Sequence, residues 1–166
     1  MHKTLVAEKV IDKELLAYCQ SIVQKGGIQF VEFYAGHGNL SKAVLRRNLT
    51  VLSIEAYPDN HTYIPWQDLD KIDVQRAWLV LARLGFIDCA HFGIVCKTWG
   101  CLHRLFNHGT RTRSLPMGAG TRADETDANK AVHWMCKMLS ILLDTRKHVI
   151  IENPARSLIF YHPQFA

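Results

Sequence analysis

The feature that most constrains this chain is the stretch at residues 28–40, which reads IQFVEFYAGHGNL. Its first half alternates apolar and polar residues and is rich in β-branched and aromatic types, a pattern typical of a β-strand. Gly36 and Gly38 then let the backbone turn sharply and approach a ligand closely. Asn39 is expected to cap a helix that runs from Leu40 to about residue 47. A strand, a glycine turn and a helix in this order predict a nucleotide site at the carboxyl edge of an α/β sheet.

A carboxylate follows the second predicted strand. Residues 50–54 predict that strand, and Glu55 comes about twenty residues after the glycines. This is the place where a Rossmann-like site puts an acid against the ribose hydroxyls. A solvated acid at a strand end is the simpler alternative.

Helices and strands alternate along the rest of the chain. Apolar residues at helical spacing predict three helices: one after Asp12 over residues 13–25, one after Asp73 over 74–84, and a long one from Asp124 or Thr126. Buried strands are predicted at 86–95 and 148–151, and Pro65 makes residues 64–70 an edge strand or a turn. The order predicts an α/β, Rossmann-like, open and mostly parallel sheet of about five strands with helices on both faces. Residues 1–27 are expected to supply an N-terminal helix that covers the sheet.

Length and composition fit a single domain over residues 1–166. Nearly half of the residues are apolar (48%), so a folded core is expected rather than disorder. No apolar run is long enough to cross a membrane, and the first residues lack the apolar core of a signal peptide. The five cysteines show no framework pattern. We therefore expect a soluble, intracellular chain with reduced thiols, in the nucleus or the cytoplasm.

A basic segment separates the strand at 86–95 from the long helix. The chain has 20 Lys and Arg against 15 Asp and Glu, and residues 97–122 contain five of the basic residues and no acid. Residues 97–123 show no helical or strand period, so they are expected to form a mobile loop with a functional role. Local positive charge of this kind favours a polyanion such as nucleic acid, with a solvated loop as the alternative.

Three predicted strand ends carry residues suited to chemistry, and together they resemble a known family. Residues 33–40, FYAGHGNL, look like the AdoMet-binding motif of class I methyltransferases. Glu55, then Cys96 after the strand at 86–95, and Glu152 with Asn153 after the last strand make the series similar to the DNA cytosine-5 methyltransferases. Val95 stands where that family has proline, and Pro154 where it has valine.

The resemblance implies AdoMet as the cofactor and nucleic acid as the substrate, DNA before RNA. It implies contacts with the cofactor from Phe33, Tyr34, Ala35, Gly36, Gly38, Asn39, Leu40, Glu55, Ala56 and, as a weaker match, Asp68. It implies catalytic roles for Cys96, Glu152 and Asn153. The basic segment and the chain after the last strand add expected nucleic-acid contacts at Lys97, Trp99, Arg104, Arg111, Arg113 and Arg156.

The chemistry implied for these residues is methyl transfer to carbon 5 of cytosine. The Cys96 thiolate would add to carbon 6 of the ring, aided by nearby cations such as Lys97. Glu152 would stabilise the charge that develops at ring nitrogen 3. The base must first leave the duplex, and Trp99 in a mobile loop is expected to stack on it.

Other interpretations remain open. A catalytically inactive module would use the same edge to bind nucleic acid without needing Cys96 or Glu152, and an RNA methyltransferase would look the same in sequence. Thiols and imidazoles at residues 89–103 have no closed C-x-x-C spacing, so no metal is expected. The target-recognition region and the closing motifs of the family are not found in the chain. Three alternatives follow: weak sequence specificity, a truncated chain, or a partner protein or dimer that supplies these elements. No membrane partner is expected.

Overall fold

A computed structural model describes residues 13–58 and 62–165 of the chain. Within them are four strands: β1 (Phe30–Phe33), β2 (Val51–Ile54), β3 (Cys89–Phe92) and β4 (His148–Ile151). The α-helices are α1 (Lys13–Gln24), α2 (Asn39–Leu45), α3 (Ile72–Arg83), α4 (Cys101–Phe106) and α5 (Ala123–Asp144). Short 3-10 turns lie at Pro65–Gln67, Cys96–Thr98, Leu158–Tyr161 and Pro163–Phe165.

The strands form one parallel sheet in the order β2-β1-β3-β4. The α/β class and the parallel sheet are confirmed, but the described residues form four strands rather than about five. The difference lies at residues 64–70, where Pro65 begins a 3-10 turn and no strand forms. Because the strand order reverses between β1 and β3, the carboxyl ends of these two strands flank a crevice suited to ligands.

An aromatic layer covers one face of the sheet. Phe33 lies against Phe92, with ring centroids 5.1 Å apart, and meets Trp78 of α3 and Trp134 of α5 edge to face at 5.0 and 5.2 Å. Each of these four side chains is nearly or fully buried. Burying four large rings stabilises this layer strongly, and it fixes α3 and α5 on the same face.

The opposite face of the sheet carries α2. Side chains alternate along a strand, so Glu32 of β1 points away from the aromatic layer. Its carboxylate accepts a hydrogen bond from the backbone N–H of Ser41 at 2.8 Å and another from the Ser41 hydroxyl. Helices therefore lie on both faces, as the sequence predicts.

Helix α1 packs against the first elements of the fold. Its main contacts are with α3 and the Pro65–Gln67 turn, and Tyr18 meets the ring of Trp78 at 6.3 Å. Leu15, Cys19 and Ile22 of the helix belong to the same buried cluster as Val31, Phe33 and Ile54 of the sheet, and its covering of the sheet stays a prediction. The predicted end is confirmed, since Gly26 follows the helix with a φ of 81°. Asp12, the expected cap, lies outside the described residues.

The basic segment is more ordered than its sequence indicates. It contains the Cys96–Thr98 turn and helix α4, and its buried Arg111 fixes the chain against α5. A helix of six residues is too short to produce a recognisable period, which explains why the sequence predicts only a loop. None of the described helices has the length and apolar character needed to cross a membrane.

Candidate active site

The glycine turn after β1 has the conformation that its sequence predicts. Gly36 and Gly38 adopt φ values of 53° and 62°, in the left-handed region that favours glycine. A Cβ atom at Gly38 would lie 2.8 Å from Oγ of Ser53, so a larger residue would collide with β2. Asn39 does not cap α2: it is the first helical residue, and Gly38 occupies the cap position without a side-chain hydrogen bond.

Glu55 meets the glycine turn. Pairing of Phe33 with Ile54 brings the ends of β1 and β2 to the same level. The two oxygens of the Glu55 carboxylate accept hydrogen bonds from the backbone N–H groups of Gly36, at 3.1 Å, and Tyr57, at 3.4 Å. The acid and the glycines, about twenty residues apart in sequence, thus meet at one edge of the sheet, and the ribose contact of Glu55 stays a prediction.

A cavity of about 490 Å³ opens beyond the carboxyl ends of β1, β2 and β3. This volume is typical of small-molecule sites. Its walls include four residues assigned to the cofactor from the sequence: Tyr34, Glu55, Ala56 and Asp68. The remaining walls come mainly from the turn after β2, the exit of β3 and the first two turns of α5: Ile54, Tyr57, Gln67, Leu69, Asp70, Ile94, Val95, Lys97, Thr98, Asp124, Asp127, Ala128 and Ala131.

Other residues expected at the cofactor do not line this cavity. The side chain of Phe33 is fully buried in the aromatic layer, so its predicted contact with a ligand is wrong. Ala35, Gly36, Gly38, Asn39 and Leu40 are also absent from the cavity walls among the described residues. The hydrogen bond from Gly36 to Glu55 places this carboxylate beside the turn, and Leu40 is partly exposed on α2.

The cavity is acidic. Five carboxylates line it, against one amine, that of Lys97: Glu55, Asp68, Asp70, Asp124 and Asp127. Two of the five have cationic partners, Asp124 with Arg122 at 2.9 Å and Asp127 with Lys130 at 2.8 Å. Partial burial, followed by repulsion from Asp68, raises the pKa of Asp70. Burial, followed by the charge of Asp70, raises the pKa of the Tyr34 phenol above its usual value.

Three of these acids were missed from the sequence. Asp124 and Asp127 look like ordinary acids in the first turns of a helix, where they interact well with the helix dipole. Asp70 follows a turn without any motif. The packing of α5 brings Asp124 and Asp127 to the cavity, and the chain after the Pro65–Gln67 turn brings Asp70.

The candidate nucleophile and the candidate acid leave neighbouring strands at the same edge. Cys96 begins the turn after β3 and is exposed, and its neighbours Val95 and Lys97 both line the cavity. Glu152 is exposed directly after β4, and its backbone N–H donates to the carbonyl of Phe92 at 3.0 Å. Neither side chain points into an apolar layer.

Asn153 connects these two strand exits. Its side-chain Nδ2 donates to the carbonyl oxygen of Ile94, two residues before Cys96, at 2.9 Å. Its Oδ1 is buried and has no hydrogen-bond partner among the described residues. The geometry therefore gives Asn153 a positioning contact between the loops that carry Cys96 and Glu152.

Two of the expected nucleic-acid contacts are buried. Trp99 is fully buried and Arg111 is 2% exposed, with the guanidinium carbon 3.5 Å from the centre of the Trp99 ring. Arg111 donates to the carbonyl oxygens of Pro116 and Glu125 at 2.6 and 2.8 Å. Burial lowers the pKa of Arg111 to about 10. The predictions that Trp99 stacks on a base and that Arg111 binds a phosphate are wrong, because neither side chain reaches the surface.

The other predicted basic contacts are exposed. Lys97 directly after Cys96, Arg104 on α4, Arg113 in the loop that follows and Arg156 after β4 all lie at the surface. Arg113 lies 5.2 Å from the centre of the Tyr161 ring. These segments therefore present four exposed cations to solvent, together with the exposed carboxylate of Glu152.

Comparison with known proteins finds no matching family model, no matching curated protein and no matching solved structure. The arguments about function accordingly depend on the residues themselves and on how the fold arranges them.

Proposed function

We propose that this domain transfers a methyl group from AdoMet to carbon 5 of cytosine in DNA. The observation that carries the proposal is the arrangement at the carboxyl edge of the sheet. An exposed cysteine and an exposed glutamate follow adjacent strands there, beside an acidic cavity at the reversal of strand order. Each half of this arrangement suits one of the two substrates.

The acidic charge of the cavity and the aromatic rings at its mouth both suit AdoMet. AdoMet carries a sulfonium and an ammonium against one carboxylate, so a surplus of acidic side chains favours it. Glu55 offers acceptors for ribose hydroxyls. At the mouth, the rings of Tyr57 and Tyr63 lie 5.1 Å apart and are partly exposed, which provides a surface for an adenine ring. When bound there, AdoMet would supply the methyl group that the reaction transfers.

The residues at the exits of β3 and β4 suit the cytosine. The sulfur of Cys96 forms a bond to carbon 6, and the electron pair displaced from the ring double bond makes carbon 5 nucleophilic. Glu152 hydrogen-bonds or protonates the ring at nitrogen 3 and stabilises the developing charge. After carbon 5 has taken the methyl group, loss of its proton and of the sulfur restores the aromatic ring and the free thiol.

The test is a covalent trap. A DNA oligonucleotide containing 5-fluorocytosine is incubated with the protein and AdoMet, and the mixture is examined by mass spectrometry. Fluorine replaces the proton that must leave carbon 5, so the methylated adduct is expected to remain on Cys96. Cys96→Ser should give no adduct. Cys101→Ser, which removes another exposed thiol five residues later, is the matched control and should keep the adduct.

A non-catalytic module that binds nucleic acid is the second candidate. Val95 favours this candidate, because it directly precedes the proposed nucleophile and stands where the family has proline. Its side chain is 63% exposed. Binding of AdoMet and DNA without an adduct on Cys96 would support this candidate and contradict methyl transfer to DNA. The same trap with an RNA oligonucleotide tests for an RNA methyltransferase, which should give the adduct on Cys96 with RNA and not with DNA.

A further inference from the structure

A groove of about 1590 Å³ lies next to the acidic cavity and extends along helices α3 and α5. Asp70, Asp127 and Ala131 line both spaces, so the two are adjacent. The other walls of the groove come from the two helices, from residues 115–120 and from the chain at 162–164. We call this surface the α3–α5 groove. The proposed methyl transfer makes no use of it.

The α3–α5 groove is cationic, in contrast to the cavity. Four exposed cations line it, two from each helix: Arg76, Arg83, Lys130 and Lys137. The two carboxylates among its described walls, Asp70 and Asp127, are the ones that it shares with the cavity. Beyond that end, the described walls carry positive charge and no acid. A ligand that fits this surface is therefore anionic.

The cations alternate between the two helices. Each helix connects two strands of the parallel sheet, so α3 and α5 run side by side in the same direction. Nε1 of Trp134 donates a hydrogen bond to the carbonyl oxygen of Gln75 at 3.1 Å and sets their relative level. With a rise of about 1.5 Å per residue, the charges extend over about 18 Å in this order: Lys130, Arg76, Lys137 and Arg83. Alternate side chains of an extended peptide are about 7 Å apart, so four carboxylates on one side of it cover a similar length.

The charges of the groove are accessible to a ligand. Arg83 and Lys137 have no ion-pair partner within the described part of the chain. The other two cations pair with aspartates of their own helices at 3.7 and 2.8 Å, and both pairs are exposed. Exposed pairs contribute at most about 1 kcal/mol, so an arriving carboxylate can replace the aspartate.

Apolar walls favour a peptide over nucleic acid as the ligand. Ile72, Leu115 and Met117 line the groove and are 57%, 46% and 43% exposed. Its described walls present no exposed phenyl, phenol or indole ring, because Trp134 is 2% exposed. A single strand of DNA or RNA binds by stacking its bases on such rings. An acidic peptide needs no stacking surface, and its apolar side chains gain from burial against leucine and methionine.

We propose that the α3–α5 groove binds an acidic segment of a partner protein. The carboxylates of this segment pair with the four cations, and apolar side chains on its other side lie against Leu115 and Met117. Opposite charges attract the segment to the groove, and the apolar contacts hold it there. This site is separate from the exits of β3 and β4, which the proposed function assigns to DNA.

The experiment uses a short fluorescein-labelled peptide of Glu-Leu-Glu-Ala repeats. The control peptide has glutamine in place of every glutamate. Fluorescence anisotropy should show saturable binding of the acidic peptide to the wild-type protein. The glutamine peptide should bind at least about tenfold more weakly, because it keeps the apolar side chains and loses the charges. Added salt should weaken the binding of the acidic peptide.

Substitutions locate the peptide on the protein. Arg83→Gln/Lys137→Gln should weaken binding of the acidic peptide by about tenfold, since it removes two exposed cations of the groove. Arg104→Gln/Arg113→Gln is the matched control: it removes two exposed arginines that are not among the groove walls, and the affinity should stay within about twofold. The side chains changed in both variants are exposed, so their melting temperatures should match that of the wild type.

A further pair of variants tests the apolar wall. Leu115→Ser should weaken binding of the acidic peptide about threefold or more, because the apolar contact is lost. Leu143→Ser changes a leucine that is 58% exposed on α5 and not among the groove walls, and it should leave the affinity unchanged. Equal affinities in these two variants would contradict the apolar contact.

Three results would overturn the proposal. The first is that the acidic peptide does not bind, or binds no better than the glutamine peptide. The second is an equal loss of peptide affinity in the groove variant and in the arginine control. The third concerns a labelled single strand of DNA: if Arg83→Gln/Lys137→Gln weakens its binding as much as that of the peptide, the groove is a nucleic-acid contact. None of these results depends on the chemistry at Cys96.

Discussion

The two halves of the carboxyl edge differ in charge and in burial. The ends of β1 and β2, together with the start of α5, enclose a cavity with five carboxylates and one amine. The segments that follow β3 and β4 carry exposed cations, the exposed Cys96 thiol and the exposed carboxylate of Glu152. A net charge of +5 conceals this difference, because the fold gathers five acids around the cavity while several basic side chains lie on the surface outside it.

The proposed function would use this difference to bind two ligands of opposite charge at one edge. Electrostatic attraction over a few ångströms acts through local charge and not through the net charge of the chain. A cationic cofactor is favoured in one half, and a polyanion is favoured in the other. Lys97, which lines the cavity and is also exposed, lies where the halves meet.

The largest expected effect concerns the buried contact that holds this edge together. Arg111→Met should lower the free energy of unfolding by about 3 kcal/mol, because the carbonyls of Pro116 and Glu125 lose their donor and the buried Glu125 carboxylate loses a nearby cation. Urea unfolding measures this. Arg113→Met is the exposed control, with an expected change below about 0.5 kcal/mol. Equal effects in the two variants would show that the buried network contributes little.

The next effect tests the acidic half. Glu55→Gln should weaken AdoMet binding by about tenfold to a hundredfold, since a hydrogen bond to a charged group is worth about 1.5–3 kcal/mol. Its affinity for DNA should stay unchanged. Glu152→Gln is the matched change in the other half and should abolish adduct formation while AdoMet affinity is kept. Calorimetry with AdoMet measures both variants. Similar losses of AdoMet affinity in both would contradict the assignment of AdoMet to the acidic cavity.

A smaller effect is expected in the cationic half. Arg104→Gln and Arg156→Gln should each weaken DNA binding several-fold and reduce the slope of log affinity against log salt by about 1. AdoMet affinity should not change. Arg83→Gln, an exposed arginine at the end of α3, is the control. If that variant lowers the salt slope as much, DNA does not prefer the exits of β3 and β4. Fluorescence anisotropy over a salt series measures all three.

The smallest effect concerns pH. Folding raises the pKa of Asp70, through burial first and the charge of Asp68 second. A raised pKa means that the carboxylate form is penalised in the folded state, so stability is lost as the pH rises through the folded pKa. Asp70→Asn should therefore melt slightly higher than the wild type at pH 7, and the difference should shrink toward about pH 4. Thermal melts across this range would contradict the interpretation if the two curves coincided throughout.

The sequence predicts those parts of the site that depend on local backbone chemistry. The left-handed glycines, the strand before them and Glu55 at the next strand end follow from residue types and spacing. The acids of α5 do not, because their position at the cavity depends on how a distant helix packs. Trp99 and Arg111 show the same limit: a basic loop in the sequence gives no sign that one arginine finds its acceptors inside the protein.

The contacts of Glu55 with two backbone N–H groups have a consequence for the entropy of ligand binding. Both oxygens of its carboxylate are held by Gly36 and Tyr57, and each keeps a further lone pair that can accept a hydroxyl proton. The rotamer freedom of this side chain is thus largely lost when the chain folds. For a ribose bound as proposed, these acceptors would already be fixed in direction, so association would not have to immobilise them a second time.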